Sequence, residues 1–324
     1  MAQAQSYNVV NNREDLTDLL TTVAPEQTPI LSSAPKYRAQ NATLMEWTAN
    51  DLDNPTYTGT QEGQDQTTHG DKTANRVTLS NRYQEERKGY SVSNIQQMNA
   101  TAGVPDEEAE AKAQSIIELK TNIESAFGSD NDLQAGSGLN NSLLRGLGAW
   151  INASTATIDA SVRPPAASLG TTSTLTESGF NDVLQSVYDS AGVVQNMKLY
   201  AGSTLQRTVS EFTRAEGSTT PTPFIVNSNQ SDREIVMSVQ FYRGDFANVE
   251  VISDQFLGRT SGSAITTASK QRGYLISDDK VSVSVWKAPH IFEQSDEGGG
   301  PRGFACGIQT LVVKNPKGLG KFSG

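Results

Sequence analysis

Residues 105–127, PDEEAEAKAQSIIELKTNIESAF, give the longest uninterrupted helical signal in this chain. Pro105 is compatible with a first helical turn, and the three acidic residues after it place negative charge at the positive end of the helix dipole. The apolar side chains recur at helical spacing and form one stripe, which contains Ile116, Leu119, Ile123, Ala126 and Phe127. We therefore predict a helix of roughly 35 Å that lies across one face of a sheet and ends at Gly128.

The composition is that of a polar, acidic chain. Its 324 residues carry a net charge of -10, and only 35% of them are hydrophobic. The chain therefore lacks the basic footprint that broad coating of nucleic acid requires. No apolar run reaches the about 18 residues of a membrane span, and the N-terminus lacks the regions of a signal peptide. Cys306 is the single cysteine, so no internal disulfide can form. We expect a soluble protein that is made inside the cell, without a membrane partner.

Before the helix, the sequence predicts an arm and a long β-hairpin. Residues 1–44 have few apolar side chains and contain three prolines, so this arm must lie on another surface. The hairpin covers residues 45–92, with strand-forming residues that alternate near 43–48 and again at 76–83. The polar stretch between these runs is unusually long, and such loops are commonly functional. Plain disorder of the stretch is the alternative.

After the helix, the chain alternates between strands and helices. Residues 93–160 complete the unit that contains the long helix. Residues 161–271 form an α+β unit, in which Thr176 caps one helix and Ser203 caps another. The strands expected in that unit are 197–201, 234–242 and 247–252, and the turn 243–245 joins the last two. Residues 272–324 are again rich in strand-forming residues and end in a basic tail.

A search for catalytic chemistry finds no convergent site. His69 and His290 are the only histidines, and neither has a partner at metal-ligand or general-base spacing. Cys306 lies in an apolar strand, where a buried and inert thiol is expected. The acidic run at 130–132 resembles the start of a calcium loop, but the required glycine and glutamate are absent. We therefore predict no enzyme activity, no cofactor and no metal site.

The order of these elements resembles the major capsid proteins of tailed double-stranded-DNA phages, which have the Hong Kong 97-type fold. The similarity spans most of residues 10–160 and, more weakly, the strands at 234–252 and 272–314. The order and spacing of several structural motifs carry it. These motifs are REDL at 13–16, APEQTP at 24–29, EWT at 46–48, EG at 62–63, VS at 92–93, NIE at 122–124, RGL at 145–147 and WI at 150–151.

The resemblance implies an α+β capsid subunit with four named parts. The arm (1–44) and the hairpin, or E-loop (45–92), would reach onto adjacent subunits. The peripheral or P-domain (93–160) would contain the spine helix 105–127, and the axial or A-domain (161–271) would meet its copies at fivefold and sixfold axes. The segment 272–324 would return to the sheet of the P-domain.

The same resemblance implies the partners. They are other copies of the chain in hexamers and pentamers, and packaged double-stranded DNA bound without sequence specificity. Scaffolding is expected to be a separate protein because the body begins within about 40 residues, and portal and decoration proteins are further expected partners. The subunit would be made in the host cytoplasm and end in the virion shell. Candidate contacts between subunits are Trp47, Glu62, Lys72, Arg76, Arg82, Glu107, Glu108, Arg302 and Lys317.

Two other classes of protein were compared with this interpretation. A β-rich tail or fibre component would be another virion structural protein, but such proteins usually show internal repeats, and the sequence contains none. A soluble hydrolase or binding module would need convergent polar residues, which the scarcity of histidine and cysteine disfavours. The capsid interpretation is therefore the leading hypothesis.

Overall fold

The computed structural model of the chain describes residues 26–39, 41–67, 69–99, 103–155, 157–191, 196–212, 240–259, 262 and 265–324. Its helices are α1 (Pro29–Ser33), α2 (Asn94–Met98), α3 (Glu107–Phe127), α4 (Leu147–Trp150), α5 (Glu177–Ala191), α6 (Ser203–Glu211) and α7 (Thr267–Gln271). Its strands are β1 (Lys36–Tyr37), β2 (Leu44–Asn50), β3 (Arg76–Arg82), β4 (Gln84–Ser91), β5 (Leu169–Thr171), β6 (Asn196–Ala201), β7 (Phe241–Arg243), β8 (Asn248–Ser253), β9 (Gly273–Ile276), β10 (Val281–Gln294), β11 (Arg302–Val313) and β12 (Gly320–Ser323).

The long helix α3 lies across a four-stranded sheet with the order β1-β10-β11-β4. The strands β10 and β11 form a long antiparallel pair, with irregular register between Val285 and His290. The predicted apolar stripe faces this sheet. Leu119, Ile123 and Phe127 are fully buried in the same core as residues of β10 and β11. The prediction of a helix packed across one face of a sheet is therefore confirmed.

The start of α3 differs from the prediction by two residues. Asp106 is the N-cap, and its carboxylate accepts hydrogen bonds from two backbone N–H groups of the first turn at 3.0 and 3.2 Å. Pro105 therefore precedes the helix, because the Asp106 side chain already satisfies these free donors. The helix ends at Phe127, immediately before Gly128, as predicted.

The hairpin forms, but it is shorter than the predicted span of 45–92. Its two strands, β2 and β3, pair antiparallel along their full length. The next strand, β4, pairs instead with β11 in the four-stranded sheet. Tyr83 lies at the point where the chain changes sheets, and its buried hydroxyl contacts Ser284 Oγ at 2.8 Å. Burial in the larger sheet therefore decides where the hairpin ends.

A six-stranded sheet with the order β5-β12-β9-β6-β8-β7 forms the second unit, together with α5 and α6. Its α+β character is as predicted. Thr176 Oγ1 accepts a hydrogen bond from Gly179 N at 3.2 Å, which confirms the cap of α5. The prediction for Ser203 is wrong, because Gly202 occupies the cap of α6. A β-carbon at Gly202 would lie only 2.5 Å from the backbone oxygen of Lys270, so only glycine fits this position.

The C-terminal segment is divided between the two sheets, which corrects the prediction that all of 272–324 returns to the sheet of the long helix. The strands β10 and β11 lie there, but β9 and β12 belong to the six-stranded sheet. Phe322 of β12 is fully buried and stacks on Phe180 of α5 with 5.4 Å between ring centroids. The apolar face of this short strand can be buried only by the second core.

Three parts of the predictions lie outside the described residues. They are the arm segment 1–25, residues 234–239 of the strand predicted at 234–242, and the end of the first A-domain helix at Gly192. The turn 243–245 is described. Gly244 N donates a hydrogen bond to Ala247 O at 3.1 Å between the paired strands β7 and β8, so the turn is a hairpin turn, as predicted.

Candidate functional site: the hairpin and the junction between the sheets

The loop of the β2–β3 hairpin is directed into solvent. Every residue described between 51 and 76 is exposed, including Glu62 and Arg76. The apolar side chains of Leu52 and Tyr57 are also exposed, at 83% and 101%. Exposed apolar side chains on a long projecting loop are typical of a surface that contacts another protein.

The two sides of this loop are tied together at Asp53. Its carboxylate accepts hydrogen bonds from Lys72 Nζ at 2.7 Å and from Asn75 Nδ2 at 2.9 Å. These hydrogen bonds, the one from Lys72 foremost, hold the pKa of Asp53 below its usual value. The predicted contact residue Lys72 therefore already has a partner inside the hairpin.

The base of the hairpin is attached to the body. Trp47 Nε1 donates a hydrogen bond to Val313 O at 3.1 Å, and the Trp47 ring lies 5.7 Å from that of Trp150. Lys317 Nζ lies 2.9 Å from a carboxylate oxygen of Asp51. Trp47 and Lys317, both predicted to contact other subunits, thus bind within their own chain and position the hairpin.

A buried asparagine adds to this attachment. Asn81 Nδ2 donates hydrogen bonds to Leu311 O at 2.9 Å and to Arg145 O at 3.2 Å. Its side-chain oxygen accepts from Arg145 N at 2.7 Å and from Arg82 N at 2.9 Å. Asn81 therefore joins the end of the hairpin strand β3 to two separate segments of the body. The predicted contact residue Arg82 is the next residue and the last of this strand.

The first turn of α3 carries the acidic pair predicted from the sequence. Glu107 accepts a hydrogen bond from Gln96 Nε2 of α2 at 3.2 Å. Glu108 pairs with Lys112 Nζ at 2.7 Å, and the same ammonium lies 2.6 Å from Glu293 of β10. The side-chain hydrogen bonds from Glu108 and then Glu293 raise the pKa of Lys112. These residues hold α2 and the tip of β10 to the helix start.

The nine predicted contact residues do not converge on one site. The structure distributes them over three places. The hairpin loop has Glu62, Lys72 and Arg76; its base has Trp47, Arg82 and Lys317; the helix start and the beginning of β11 have Glu107, Glu108 and Arg302. Arg302 pairs with Glu297 at 2.7 Å.

Asp130 joins the two sheets just after the end of α3. Its carboxylate lies 2.5 Å from Arg272 Nη2, before β9, and 2.7 Å from Lys321 Nζ of β12. Burial lowers the pKa of Lys321, and the adjacent Asp130 opposes this effect. Tyr274 Oη donates a hydrogen bond to Gly128 O at 2.8 Å beside this cluster. The residue that resembled a calcium ligand therefore binds protein cations.

Arg145 forms the second part of the junction. Its side chain is 1% exposed, and its Nε lies 2.5 Å from Asp132 Oδ1. Its Nη2 donates to Thr157 Oγ1 at 2.8 Å, and the guanidinium lies 4.5 Å from the centre of the Trp150 ring. Burial lowers the pKa of Arg145, and the bond to Asp132 opposes that shift. Asp132, also part of the calcium-like run, therefore has a cation of the protein as its partner.

Glu124 lies inside the apolar side of α3 and is fully buried. Its carboxylate accepts hydrogen bonds from Ile30 N at 2.6 Å and Leu31 N at 2.9 Å, in the helix α1. Burial raises the pKa of Glu124 far above its usual value, and the neighbouring carboxylate of Asp254 raises it further. Burial also raises the pKa of Asp254. This pair joins α1, the long helix and the loop after β8.

The described part of the chain contains no group of three or more His, Cys, Asp or Glu side chains that could hold a metal ion. No helix within the described ranges is long and apolar enough to cross a membrane. Cys306 is buried, as predicted, and its Sγ lies 3.2 Å from Glu85 Oε1. Burial raises the pKa of this thiol, which disfavours the reactive thiolate.

The sequence matches the model of one protein family, the SU10 major capsid protein family, over residues 3–324. The chain belongs to the SU10 major capsid protein family. It is thus a structural protein of the icosahedral phage head. This family excludes the alternatives of a tail or fibre component and of an enzyme. No curated protein matches this capsid protein with a significant score.

Solved phage capsids share the fold of this capsid protein. A structure from Mycobacterium phage Adephagia has a TM-score of 0.63 at 12% identity, with 99% of this chain and 98% of that chain covered. The capsid of the native GTA particle has a TM-score of 0.63 at 8% identity, with 98% and 97% covered. The capsid of cyanophage P-SCSP1u has a TM-score of 0.60 at 9% identity, with 100% and 99% covered. These similarities agree with the Hong Kong 97-type fold.

Sequence reasoning missed the junction of the capsid subunit. Asp130, Arg145 and Asp254 lie in loops or short turns, where a charged side chain gives no sign of burial. Glu124 left a signal, because it interrupts the apolar side of α3 between Ile123 and Phe127. A carboxylate in that position needs donors from another segment, and α1 supplies them.

Proposed function

We propose that this capsid protein closes its shell through the hairpin loop, residues 51–76, which reaches onto an adjacent copy within hexamers and pentamers. The observation that carries this proposal is the loop itself: all its described residues are exposed, and two of them, Leu52 and Tyr57, are large and apolar. A protein in solution gains nothing from exposing them, whereas a neighbouring subunit can bury them.

The rigid base supports the same proposal. Trp47, Asn81 and Lys317 attach the hairpin strands to the body, so the loop leaves the subunit in a defined direction. A contact that is preorganised in this way loses less conformational entropy when a neighbour binds. The hydrogen bonds and the ion pair that Trp47, Arg82 and Lys317 form within their own chain suit a role in orienting the loop.

Three other predicted contacts belong to a different region of the subunit. Glu107, Glu108 and Arg302 lie at the start of α3 and β11, next to the exposed apolar side chains of Ile95 and Met98 in α2. We assign this region to a second contact between copies. The net charge of -10 suits a shell that encloses double-stranded DNA without binding its sequence. Separate scaffolding, portal and decoration proteins complete the proposed set of partners, and synthesis takes place in the host cytoplasm.

Deletion of residues 55–74 tests the hairpin role. The deletion leaves β2 and β3 intact, so the subunit should fold but should not form rings or closed shells in negative-stain microscopy. Circular dichroism checks the fold. Assembly at normal yield would contradict the proposal.

A matched pair of point variants sharpens the test. Tyr57 is 101% exposed in the loop, and Leu139 is 98% exposed in a different loop. Tyr57→Ser should reduce shell yield, whereas Leu139→Ser should not, because only the first removes an apolar contact with the neighbour. Equal yields from the two variants would show that exposure alone does not identify the contact.

A further inference from the structure

Two carboxyl groups, those of Glu124 and Asp254, lie within hydrogen-bond reach of each other in the interior, where three segments of the fold come together. Glu124 is fully buried in α3, and Asp254, directly after β8, is 3% exposed. Asp254 is held in place because its N donates to Ala201 O at 3.0 Å and its Oδ1 accepts from Phe256 N at 2.8 Å. The other oxygen, Oδ2, is buried and accepts no hydrogen bond from an N–H or hydroxyl group of the described residues, and the side-chain hydrogen bond of this carboxyl group is with Glu124.

Glu124 also holds the first described helix. Its two oxygens accept from the backbone N–H groups of Ile30 and Leu31, and the Ile30 side chain packs in the same core as α3. The arm segment, the long helix and the six-stranded sheet are therefore joined at one pair of acidic groups.

Within the described ranges, two cations act on the pair, and neither forms an ion pair with it. The other titratable groups that act on the pair are Lys36 of β1, Tyr200 of β6, Arg259 of the loop after β8 and Tyr274 of β9. Both cations are hydrogen-bonded to backbone oxygens instead of the carboxyl groups. Lys36 Nζ donates to Leu31 O at 2.8 Å, and Arg259 Nε donates to Gln255 O at 2.8 Å.

Both hydroxyl groups are engaged as well. Tyr200 Oη lies 2.5 Å from Ser33 Oγ, at the end of α1, and Tyr274 Oη donates to Gly128 O at 2.8 Å. Two ionised carboxylates in this place would repel each other with neither cation hydrogen-bonded to them, whereas a single shared proton forms a hydrogen bond between them.

We propose that Glu124 and Asp254 form a pH-sensitive clasp, which holds α1 and the loop after β8 against the long helix while the two groups share one proton. Ionisation of both groups releases the clasp, because two buried negative charges are stabilised only when water reaches them. The clasp acts within one subunit.

The sign of the effect follows from the direction of the shifts. The folded-state pKa of Glu124 lies above the value of a free carboxyl group, so the closed state retains a proton that the open state loses. The contribution to stability is complete below the ordinary carboxyl pKa and is lost as the pH rises through the raised value. Acid therefore closes this clasp, and alkali opens it.

Hydrogen exchange of the Ile30 and Leu31 amides in the full-length protein tests the clasp. After correction for the intrinsic exchange rate, the opening equilibrium constant should rise with pH, by up to about tenfold per unit between about pH 5 and about pH 8. An opening constant for Ile30 and Leu31 that does not change over this range would overturn the proposal.

Variants separate the clasp from general effects of pH. Glu124→Gln keeps an acceptor for the α1 amides and can donate to Asp254, so it should abolish the rise. Asp254→Asn should weaken the rise, because Glu124 loses its charged neighbour while burial still raises its pKa, and this variant serves as the test if the first does not fold. Glu118→Gln, an exposed position of the same helix, should keep the wild-type rise. A wild-type rise in the folded Glu124 or Asp254 variant would refute the clasp.

Discussion

The carboxylate of Asp130 lies 2.7 Å from the ammonium of Lys321. The first residue follows the long helix of one sheet, and the second belongs to the last strand of the other. This ion pair, with Arg272 on the same carboxylate, fastens the two sheets of the capsid subunit together.

Asp130→Asn should destabilise the subunit by about 1–3 kcal/mol, because it leaves Lys321 and Arg272 without their anion in a largely buried place. Urea unfolding of the full-length chain measures the loss. The control is Asp53→Asn, which removes an ion pair whose partners are 78% and 60% exposed and should cost clearly less than Asp130→Asn. Equal losses would show that Asp130 is no more than a surface charge.

Gly148→Ala should disturb the same junction from the other side. A β-carbon at this position would overlap Asp130 Oδ1 and lie 2.8 Å from Tyr274 Oη. We expect a loss of about 1–3 kcal/mol in thermal or urea unfolding, since the crowded atoms must move. Gly70→Ala is the control, because a β-carbon there meets nothing within 4 Å. An unchanged unfolding midpoint for Gly148→Ala would show that Asp130 and Tyr274 move aside without loss of stability, which would contradict a tightly packed junction.

Arg145→Met should cost about 3 kcal/mol of unfolding free energy. The variant removes the partner of Asp132, a hydrogen bond to Thr157 and a stacking contact with Trp150. Arg207→Met is a suitable comparison, because that side chain is 82% exposed and pairs with Glu211 one turn later. Its effect should stay within about 0.5 kcal/mol. A small effect at both positions would contradict a structural role for Arg145.

The contribution of Asp132 should disappear in acid. Burial alone would raise the pKa of Asp132, but hydrogen bonds from Thr157 and Arg145 outweigh it, so the pKa lies below its usual value. A lowered folded-state pKa means that the contribution is present above the unfolded value of about 3.9 and is lost as the pH falls further. The stability difference between wild type and Asp132→Asn should therefore shrink below about pH 4. A constant difference would refute this assignment.

Phe322→Ala should cost about 3–5 kcal/mol, because the ring is fully buried and stacks on Phe180. Phe292 offers a matched control, since it also stacks on a phenylalanine, Phe304, but is 52% exposed. Phe292→Ala should cost less than about 1.5 kcal/mol. Thermal unfolding distinguishes the two, and similar losses would argue against β12 as a central strand.

The sequence predicted most helices and strands, because the spacing of apolar residues that marks an element lies within that one segment. The stripe of α3 repeats every three to four residues, and the hairpin strands alternate, so each element shows its buried face without help from the rest of the chain. The scarcity of histidine and cysteine excluded common catalytic sites in the same way. The order of arm, hairpin, helix and α+β unit was sufficient to suggest the capsid fold.

Local sequence patterns were therefore sufficient to predict most elements, their order and the capsid family. Which sheet β4 and β12 join, and which charged residues are buried at the junction, depends on tertiary packing. A strand as short as Gly320–Ser323 has no pattern that selects a partner, so the core that can bury Phe322 selects it. Glu124 and Asp254 are 130 positions apart in sequence, and their meeting depends on the packing of the long helix between the arm and the second sheet. Burial of side chains against residues distant in sequence decides these contacts, and no local pattern of apolar residues encodes it.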